Sequence, residues 1–206
     1  MTLWGIVVAA GSGRRFGGPK HTIELGGKPL YQWAVTCLQD AGCEGVVVVG
    51  DVPGGIPGGT RRRDSVAAGL AAIPGHADYV LVHDAARPLA SIKLAKAVVA
   101  RLEMGDAAGV VPAVPVRDTV KRVVGDVVVE TVARSDLIAV QTPQGFVVAD
   151  LKAAHGADDA DATDDAALVE RAGGVVVTVP GEPSNIKVTY PEDLLLALAL
   201  CSPPPA

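Results

Sequence analysis

The sequence predicts one α/β domain with a mostly parallel sheet, helices on its faces and a projecting β-hairpin. Three observations carry that reading. Strand and helix signals alternate along the chain. Val46–Val49 and Val175–Val179 are β-branched throughout and almost wholly apolar, the pattern of strands buried on both faces. Hydrophobic residues make up 49% of the chain and aromatics 3%, so the core is built from Val, Ala, Leu and Ile. With 206 residues, the domain can bury such a core without disulfides or metals.

The elements follow in order. Trp4–Ala9 reads as a strand, and a glycine-rich loop then runs to about Gly27. Pro29–Ala41 reads as a helix: Leu30, Trp33, Ala34, Cys37 and Leu38 share one face, Pro29 suits a first helical position and Gly42 a stop. Val46–Val49 is the second strand. A Gly/Pro-rich loop, Asp51–Gly59, leads through a basic turn to a helix over Ser65–Ile73. Tyr79–His83 is a strand, Ser91–Met104 a helix, and Ala108–Val114 a strand. Thr119–Val132 breaks the alternation with two β-branched segments around Gly125-Asp126, the signature of a hairpin. Ala139–Val148 returns to the sheet. Thr163 can cap a helix running to Ala172, with Asp164 and Asp165 suited to its first turn. Val175–Val179 is a further strand and Pro191–Leu200 the last helix. No repeat or linker appears, so residues 1–206 form one domain, with the arm at about 115–136.

Composition excludes several classes. The net charge is −5, which argues against a general nucleic-acid binder. Twelve of the 18 Lys and Arg residues nevertheless fall in or beside loops and strand ends, as expected of a local pocket for a small anion. Cys37, Cys43 and Cys201 form no CxxC pair, which favours a reducing, cytoplasmic setting. The amino terminus lacks the basic and cleavage segments of a signal peptide. Leu194–Leu200 falls far short of the roughly 20 residues of a membrane span and reads as the packed end of the last helix.

Three motifs carry chemistry. In Ala9-Ala10-Gly11-Ser12-Gly13-Arg14-Arg15-Phe16, followed by Gly17-Gly18-Pro19-Lys20, glycines let backbone N–H groups approach phosphates. Such a turn can also serve chain reversal alone. Phe16 stands where a dinucleotide fingerprint requires glycine, and no phosphate-loop Gly-Lys-Ser/Thr follows. The loop offers instead two cations, Arg15 and Lys20, suited to neutralising charge in phosphoryl chemistry. The second motif, Gly58-Gly59-Thr60-Arg61-Arg62-Arg63-Asp64-Ser65-Val66, can hold a base or phosphate. It can equally be a solvated basic turn with Asp64 or Ser65 as helix cap. The third, His83-Asp84-Ala85-Ala86-Arg87-Pro88, ends a strand, where open α/β sheets bind ligands. A carboxylate there can hold Mg²⁺ on a triphosphate, and an Asp–Arg surface pair is the alternative. The acidic run Asp158, Asp159, Asp161, Asp164 and Asp165 reads as a solvated, helix-capping loop rather than a metal site.

Taken in order, AAGSGRRF, PK, LGGKPL, GGTRRRDSV, HDAARP, VPVRDTVKR, TVARSDL, QTPQGF, TDDA and NIKVTYPEDL cover most of the chain. This series resembles the 2-C-methyl-D-erythritol 4-phosphate cytidylyltransferase family of the non-mevalonate isoprenoid pathway. The resemblance implies a Rossmann-like three-layer nucleotidyltransferase fold that uses CTP with Mg²⁺ (or Mn²⁺ or another divalent ion) and dimerises through its hairpin arm. It implies that Arg15 and Lys20 stabilise the transition state. Ala10, Gly11, Gly13, Gly59, Ser65 and Asp84 would bind the nucleotide, with Asp84 also near the metal. Arg87, Thr119, Thr142 and Lys187 would contact the phosphorylated polyol, and Arg134 would reach the acceptor in the partner subunit's site. His83 is not expected to act as a base, because the acceptor phosphate is already ionised. His21, Thr22, Thr60 and the short stretch Gly50–Gly58 depart from the family pattern without removing a catalytic group.

Three other activities compete. A ribitol 5-phosphate cytidylyltransferase would share the nucleotide half and differ at the acceptor. A nicotinamide oxidoreductase is disfavoured by the missing third glycine. A nucleotide-binding module without turnover would bind CTP and release no pyrophosphate.

Overall fold

The structure, a computed structural model, describes residues 1–11, 13, 15–18, 22–157 and 159–201. Its strands are β1 (Leu3–Val8), β2 (Glu24–Leu25), β3 (Lys28–Pro29), β4 (Gly45–Val49), β5 (Tyr79–Asp84), β6 (Gly109–Pro115), β7 (Val120–Val124), β8 (Val127–Val132), β9 (Ile138–Val140), β10 (Gln144–Val147) and β11 (Val176–Pro180). The helices are α1 (Leu30–Asp40), α2 (Arg62–Ala72), α3 (Ile92–Leu102), α4 (Val148–Ala157), α5 (Ala166–Arg171) and α6 (Pro191–Cys201).

The central sheet is seven-stranded, in the order β11-β6-β10-β5-β1-β4, with β9 beside β6. β4, β1 and β5 are mutually parallel, as are β6 and β11. β10 runs antiparallel to both β5 and β6, and β9 antiparallel to β6. The sheet is therefore mostly parallel, with one reversed strand inside it.

Strand side chains alternate between two cores, as a period of two requires. Leu3 and Val7 of β1 pack with Ala34 and Leu38 of α1 and Val98 and Leu102 of α3. Ile6, on the opposite face, packs with Val66 and Leu70 of α2, Leu151 of α4 and Leu168 of α5. The scarcity of aromatics makes Phe146 notable: it is fully buried in this second core. Its ring covers Gly109, where a Cβ would lie 2.8 Å from ring atom Cδ1.

Several expectations need correction. Pro29 is the N-cap of α1 rather than its first residue. Trp33 is half-buried, packed against Leu25 and Leu30, and its Nε1–H donates to the carbonyls of Leu25 (3.0 Å) and Lys28 (3.2 Å). It thereby ties α1 to the β2–β3 ribbon, which is too short to leave a periodic signal. Ala139–Val148 is two strands and a helix start, because Gln141-Thr142-Pro143 interrupts it. α4 has no counterpart in the sequence reading. The N-cap of α5 is Asp165 rather than Thr163, and Asp164 Oδ1 accepts from Ala167 N–H in the first turn at 3.1 Å.

The hairpin forms a separate two-stranded sheet with Gly125 in its turn at φ 60°. Val123, Val124, Val127, Val128 and Val129 on it are all more than half exposed. The last helix also departs from expectation. Only Ala197 of α6 is buried, while Leu195 is 69% and Leu196 50% exposed. Among the described residues no helix is long and apolar enough to cross a membrane.

Candidate active site

The carboxyl ends of β1, β4 and β5 finish level, with Val8 opposite both Val49 and Asp84. Backbone bonds continue this edge, from Ala9 N–H to Val49 O (2.7 Å) and from Ala85 N–H to Val8 O (3.1 Å). A cavity of about 580 Å³ opens there. Ala10, Gly11, Gly13, Arg15, Gly59, Ser65, Asp84 and Lys187 line it, together with Thr60, Arg61 and Arg62.

Glycine chemistry shapes the rim. Gly13 has φ 62°, a left-handed conformation open to glycine at little cost. Its carbonyl accepts from the N–H groups of Phe16, Gly17 and Gly18 at 2.8–3.2 Å, curling the loop on itself. Gly58 lies so near the first strand's loop that a Cβ would come 2.4 Å from Ala10 Cβ and 2.9 Å from Ser65 Oγ. Ser65 Oγ accepts from Gly59 N–H at 3.1 Å, which fixes this second wall. Arg15 is exposed at the cavity mouth, its guanidinium 6.0 Å from the Tyr190 ring centroid. Lys20 lies outside the described residues.

Asp84 is the electrostatic centre. Lys187 Nζ donates to its Oδ2 at 2.6 Å, and Arg62 Nε donates to its Oδ1 at 3.2 Å. Burial alone would raise its pKa, but Arg62 and then Lys187 outweigh burial and hold the carboxyl well below the usual carboxylate range.

Behind it, Thr142 is buried, and its Oγ1 accepts from Asp84 N–H at 3.0 Å and meets His83 Nδ1 at 2.7 Å. Burial pushes the His83 pKa down to about 4, against the raising influence of Asp84, so the ring is neutral at pH 7. The Thr142 hydroxyl thus serves Asp84 and His83 and lines neither cavity, unlike the substrate contact expected of it.

A second cavity of about 510 Å³ adjoins the first, sharing Lys187 as wall. Arg87, Arg117, Gln141 and Asn185 also line it. Arg87 donates to Asn185 O at 2.8 Å, so part of its guanidinium is committed to the backbone. Gln141 exchanges two bonds with Glu182, and Asn185 Nδ2 donates to Thr142 O at 2.9 Å. These latches place the segment between β11 and α6 that carries Lys187. Gln141 and Asn185 stood inside recognised motifs but were given no role. Thr119 and Arg134 lie exposed at the base of the arm and line neither cavity; Arg134 Nη1 donates to Arg117 O.

Arg62 was also missed. Three consecutive arginines look alike in sequence, yet at a helix start each points about 100° from the last. Arg61 turns to Asp64 and Asp159, Arg62 to Asp84 and Asp165, and Arg63 to the carbonyls of Ala160 and His155. Of the acidic run, Asp159 and Asp165 are taken up in these contacts, Asp161 accepts from Ala162 N–H and Asp164 from Ala167 N–H, while Asp158 lies outside the described residues. Among the described residues no cluster of three His, Cys, Asp or Glu could hold a metal. One carboxylate, Asp84, lines the cavity, and Mg²⁺ is commonly held by one or two carboxylates plus substrate oxygens.

Sheet order and a cationic, glycine-walled cavity at its carboxyl edge define an α/β nucleotide-binding protein of the nucleotidyltransferase kind. A sequence model of one family, IspD, 2-C-methyl-D-erythritol 4-phosphate cytidylyltransferase, matches residues 3–202, and the chain belongs to that family. The chain is 46% identical over 212 residues to the enzyme of that name from Rhodococcus jostii, covering 95% of this chain and 93% of the relative. It is 44% identical to a bifunctional enzyme IspD/IspF from Solidesulfovibrio magneticus, covering 99% of this chain but 58% of that relative. The chain thus spans little more than half the length of such two-part relatives. Among solved structures, the Thermus thermophilus enzyme superposes with a TM-score of 0.80 at 35% identity, covering 95% of this chain and 96% of the other. The Francisella tularensis enzyme gives 0.84 at 27% identity, covering 97% and 100%.

Proposed function

We propose that the protein transfers CMP from CTP to 2-C-methyl-D-erythritol 4-phosphate, forming 4-diphosphocytidyl-2-C-methyl-D-erythritol and releasing pyrophosphate. One observation carries the reading beyond family membership: Lys187 stands between two adjoining cavities while bonded to Asp84 in the first. Two substrates that must react with each other need such a shared wall. The glycine-lined cavity would take CTP, with cytosine between the Ala10 loop and Gly59-Ser65. The second cavity would take the acceptor, its phosphate oxygen held by Lys187 and Arg87 for in-line attack on the α-phosphorus. Bonding to the α-phosphorus forms the new P–O–P link as the bond to the pyrophosphate oxygen breaks, so no proton transfer is required.

Arg15 and, by the family resemblance, Lys20 would neutralise charge on the five-coordinate phosphorus. Mg²⁺, carried by the triphosphate and held at Asp84, would supply further charge neutralisation on the leaving group. Asp84 would hold the ion, and Lys187, whose side chain is 41% exposed, would then turn towards the acceptor. Incubation with CTP, Mg²⁺ and a panel of polyol phosphates, read by mass spectrometry, tests the reaction. A cytidylyl product with methylerythritol phosphate is expected. Product with ribitol 5-phosphate alone would overturn the acceptor assignment.

The same reading makes the protein a homodimer through its arm, with Thr119 and Arg134 meeting the acceptor only in the assembled form. Support comes from the valines left exposed on both arm strands, where Val123 faces Val128 and Val124 faces Val127. Exposed apolar patches of this kind mark interfaces. The double variant Val123→Lys, Val128→Lys is expected to shift the species seen by light scattering from dimer to monomer and to lower turnover. A wild-type monomer would remove this part of the reading.

A further inference from the structure

The floor of the nucleotide cavity contains a chain of charges that reaches well beyond the ligand-facing residues. Arg62, the first residue of α2, donates from Nε to Asp84 Oδ1 (3.2 Å) and from Nη1 to Asp165 Oδ2 (2.6 Å). Asp165 is fully buried, and its Oδ1 meets His155 Nε2 at 3.2 Å. Burying a guanidinium between two carboxylates is a poor way to stabilise a fold, because desolvation offsets much of the attraction. Here the arrangement also leaves Arg62 Nη2 buried and, among the described residues, without a hydrogen-bond partner. A close-packed apolar floor would serve stability better, so the network calls for a role at the site.

The two cations on Asp84 differ in freedom. Lys187 is a single flexible ammonium on Oδ2, 41% exposed and shared with the second cavity. Arg62, which lines the first cavity, is a planar fork held at its far side by Asp165, a residue that lines neither cavity. The fork therefore fixes the plane of the Asp84 carboxylate and occupies Oδ1, leaving Oδ2 as the exchangeable oxygen.

We propose that Arg62, anchored by Asp165, is a positioning residue that orients Asp84 so that Oδ2 alone passes between Lys187 and the incoming metal-bound nucleotide. The inference rests on the proposed cytidylyl transfer. Arg62→Lys keeps the charge but cannot span both carboxylates, and Asp165→Asn keeps the shape but removes the charged anchor. Each is expected to weaken CTP affinity in the presence of Mg²⁺ about 10- to 100-fold, the usual cost of losing a group that orients a ligand-holding side chain. The KM for the acceptor should change little. The double variant should be no worse than Arg62→Lys alone, because the two residues act as one unit.

CTP affinity is measured by titration calorimetry without acceptor, beside thermal melting. Wild-type turnover in the polyol-phosphate assay tests the reaction separately, so loss of one result leaves the other readable. Wild-type CTP affinity in a folded Arg62→Lys protein would overturn the inference. So would additive losses in the double variant, or losses that merely follow the melting temperature. Should Arg62→Lys fail to fold, Asp165→Asn decides alone, and wild-type CTP affinity in that variant overturns the inference.

Discussion

Arg15→Ala is expected to lower kcat about 10²- to 10³-fold, the range for removing one preorganised charge-stabilising donor, while CTP affinity falls far less. The asymmetry follows from where the charge develops. A cation aimed at the five-coordinate phosphorus binds the transition state better than the ground state, so its loss appears in turnover. Arg15 is exposed at the cavity mouth, with a cation–π approach to Tyr190 among its contacts. An exposed contact of this kind is worth about 0.5–1 kcal/mol, so the variant should fold normally. Steady-state kinetics paired with calorimetric CTP titration separates the two quantities. Turnover near the wild-type value would remove Arg15 from the mechanism. By the family resemblance Lys20→Ala should behave alike.

Replacing Asp84 should produce the second large effect, on stability and turnover together. Asp84→Ala leaves Arg62 with Asp165 as its remaining carboxylate and takes from Lys187 the carboxylate it bonds. Taking a hydrogen-bond partner from part-buried polar groups costs about 1–3 kcal/mol, which thermal melting would show as a clear drop. Asp84→Asn retains shape and hydrogen-bond capacity, so it should recover much of the melting temperature and little of the turnover. An Asp84→Asn protein with wild-type kcat would mean that the carboxylate charge does not serve the reaction.

The pH dependence of this contribution has a definite sign. The Asp84 pKa is depressed in the folded protein, chiefly because Arg62 and Lys187 outweigh burial. The unfolded chain therefore takes up the proton first as pH falls. The stabilisation is full above the ordinary aspartate range and is lost as acid drives the pH down towards the folded value.

The alternation of strand and helix was legible because buried parallel strands leave unbroken Val runs, and Gly and Pro punctuate them. The arm was legible because Gly125-Asp126 sits between two β-branched stretches. Strand direction was not: an apolar strand such as β10 reads the same in either sense, and only its neighbours set it. α4 was hidden because Val148-Ala149-Asp150-Leu151 continues the apolar run of Phe146 and Val147 without a clear change of period. The exposure of the α6 leucines escaped for a related reason. A helix apolar on every side does not declare which side is covered.

At the site, motif residues at strand ends were legible, since the carboxyl edge of the sheet gathers them. Side-chain direction was not. Nothing in three successive arginines distinguishes Arg62, and nothing in QTPQGF shows that Thr142 turns its hydroxyl inward to the backbone of Asp84.

The reversed course of β10 has a consequence for how the rim is assembled. A strand aligned with its neighbours offers only its finish to that edge. β10 begins there, so Gln141 and Thr142 arrive from the connection that precedes the strand, opposite the residues that leave β5. Entry and exit segments thus abut across one hydrogen-bonded seam, and the acceptor-side wall is supplied by stretches roughly a hundred positions apart, Arg87 and Asn185, clasped at 2.8 Å. On the proposed function, remodelling that wall for a different polyol would require coordinated change on both sides of the seam, with Lys187, common to both cavities, kept in place.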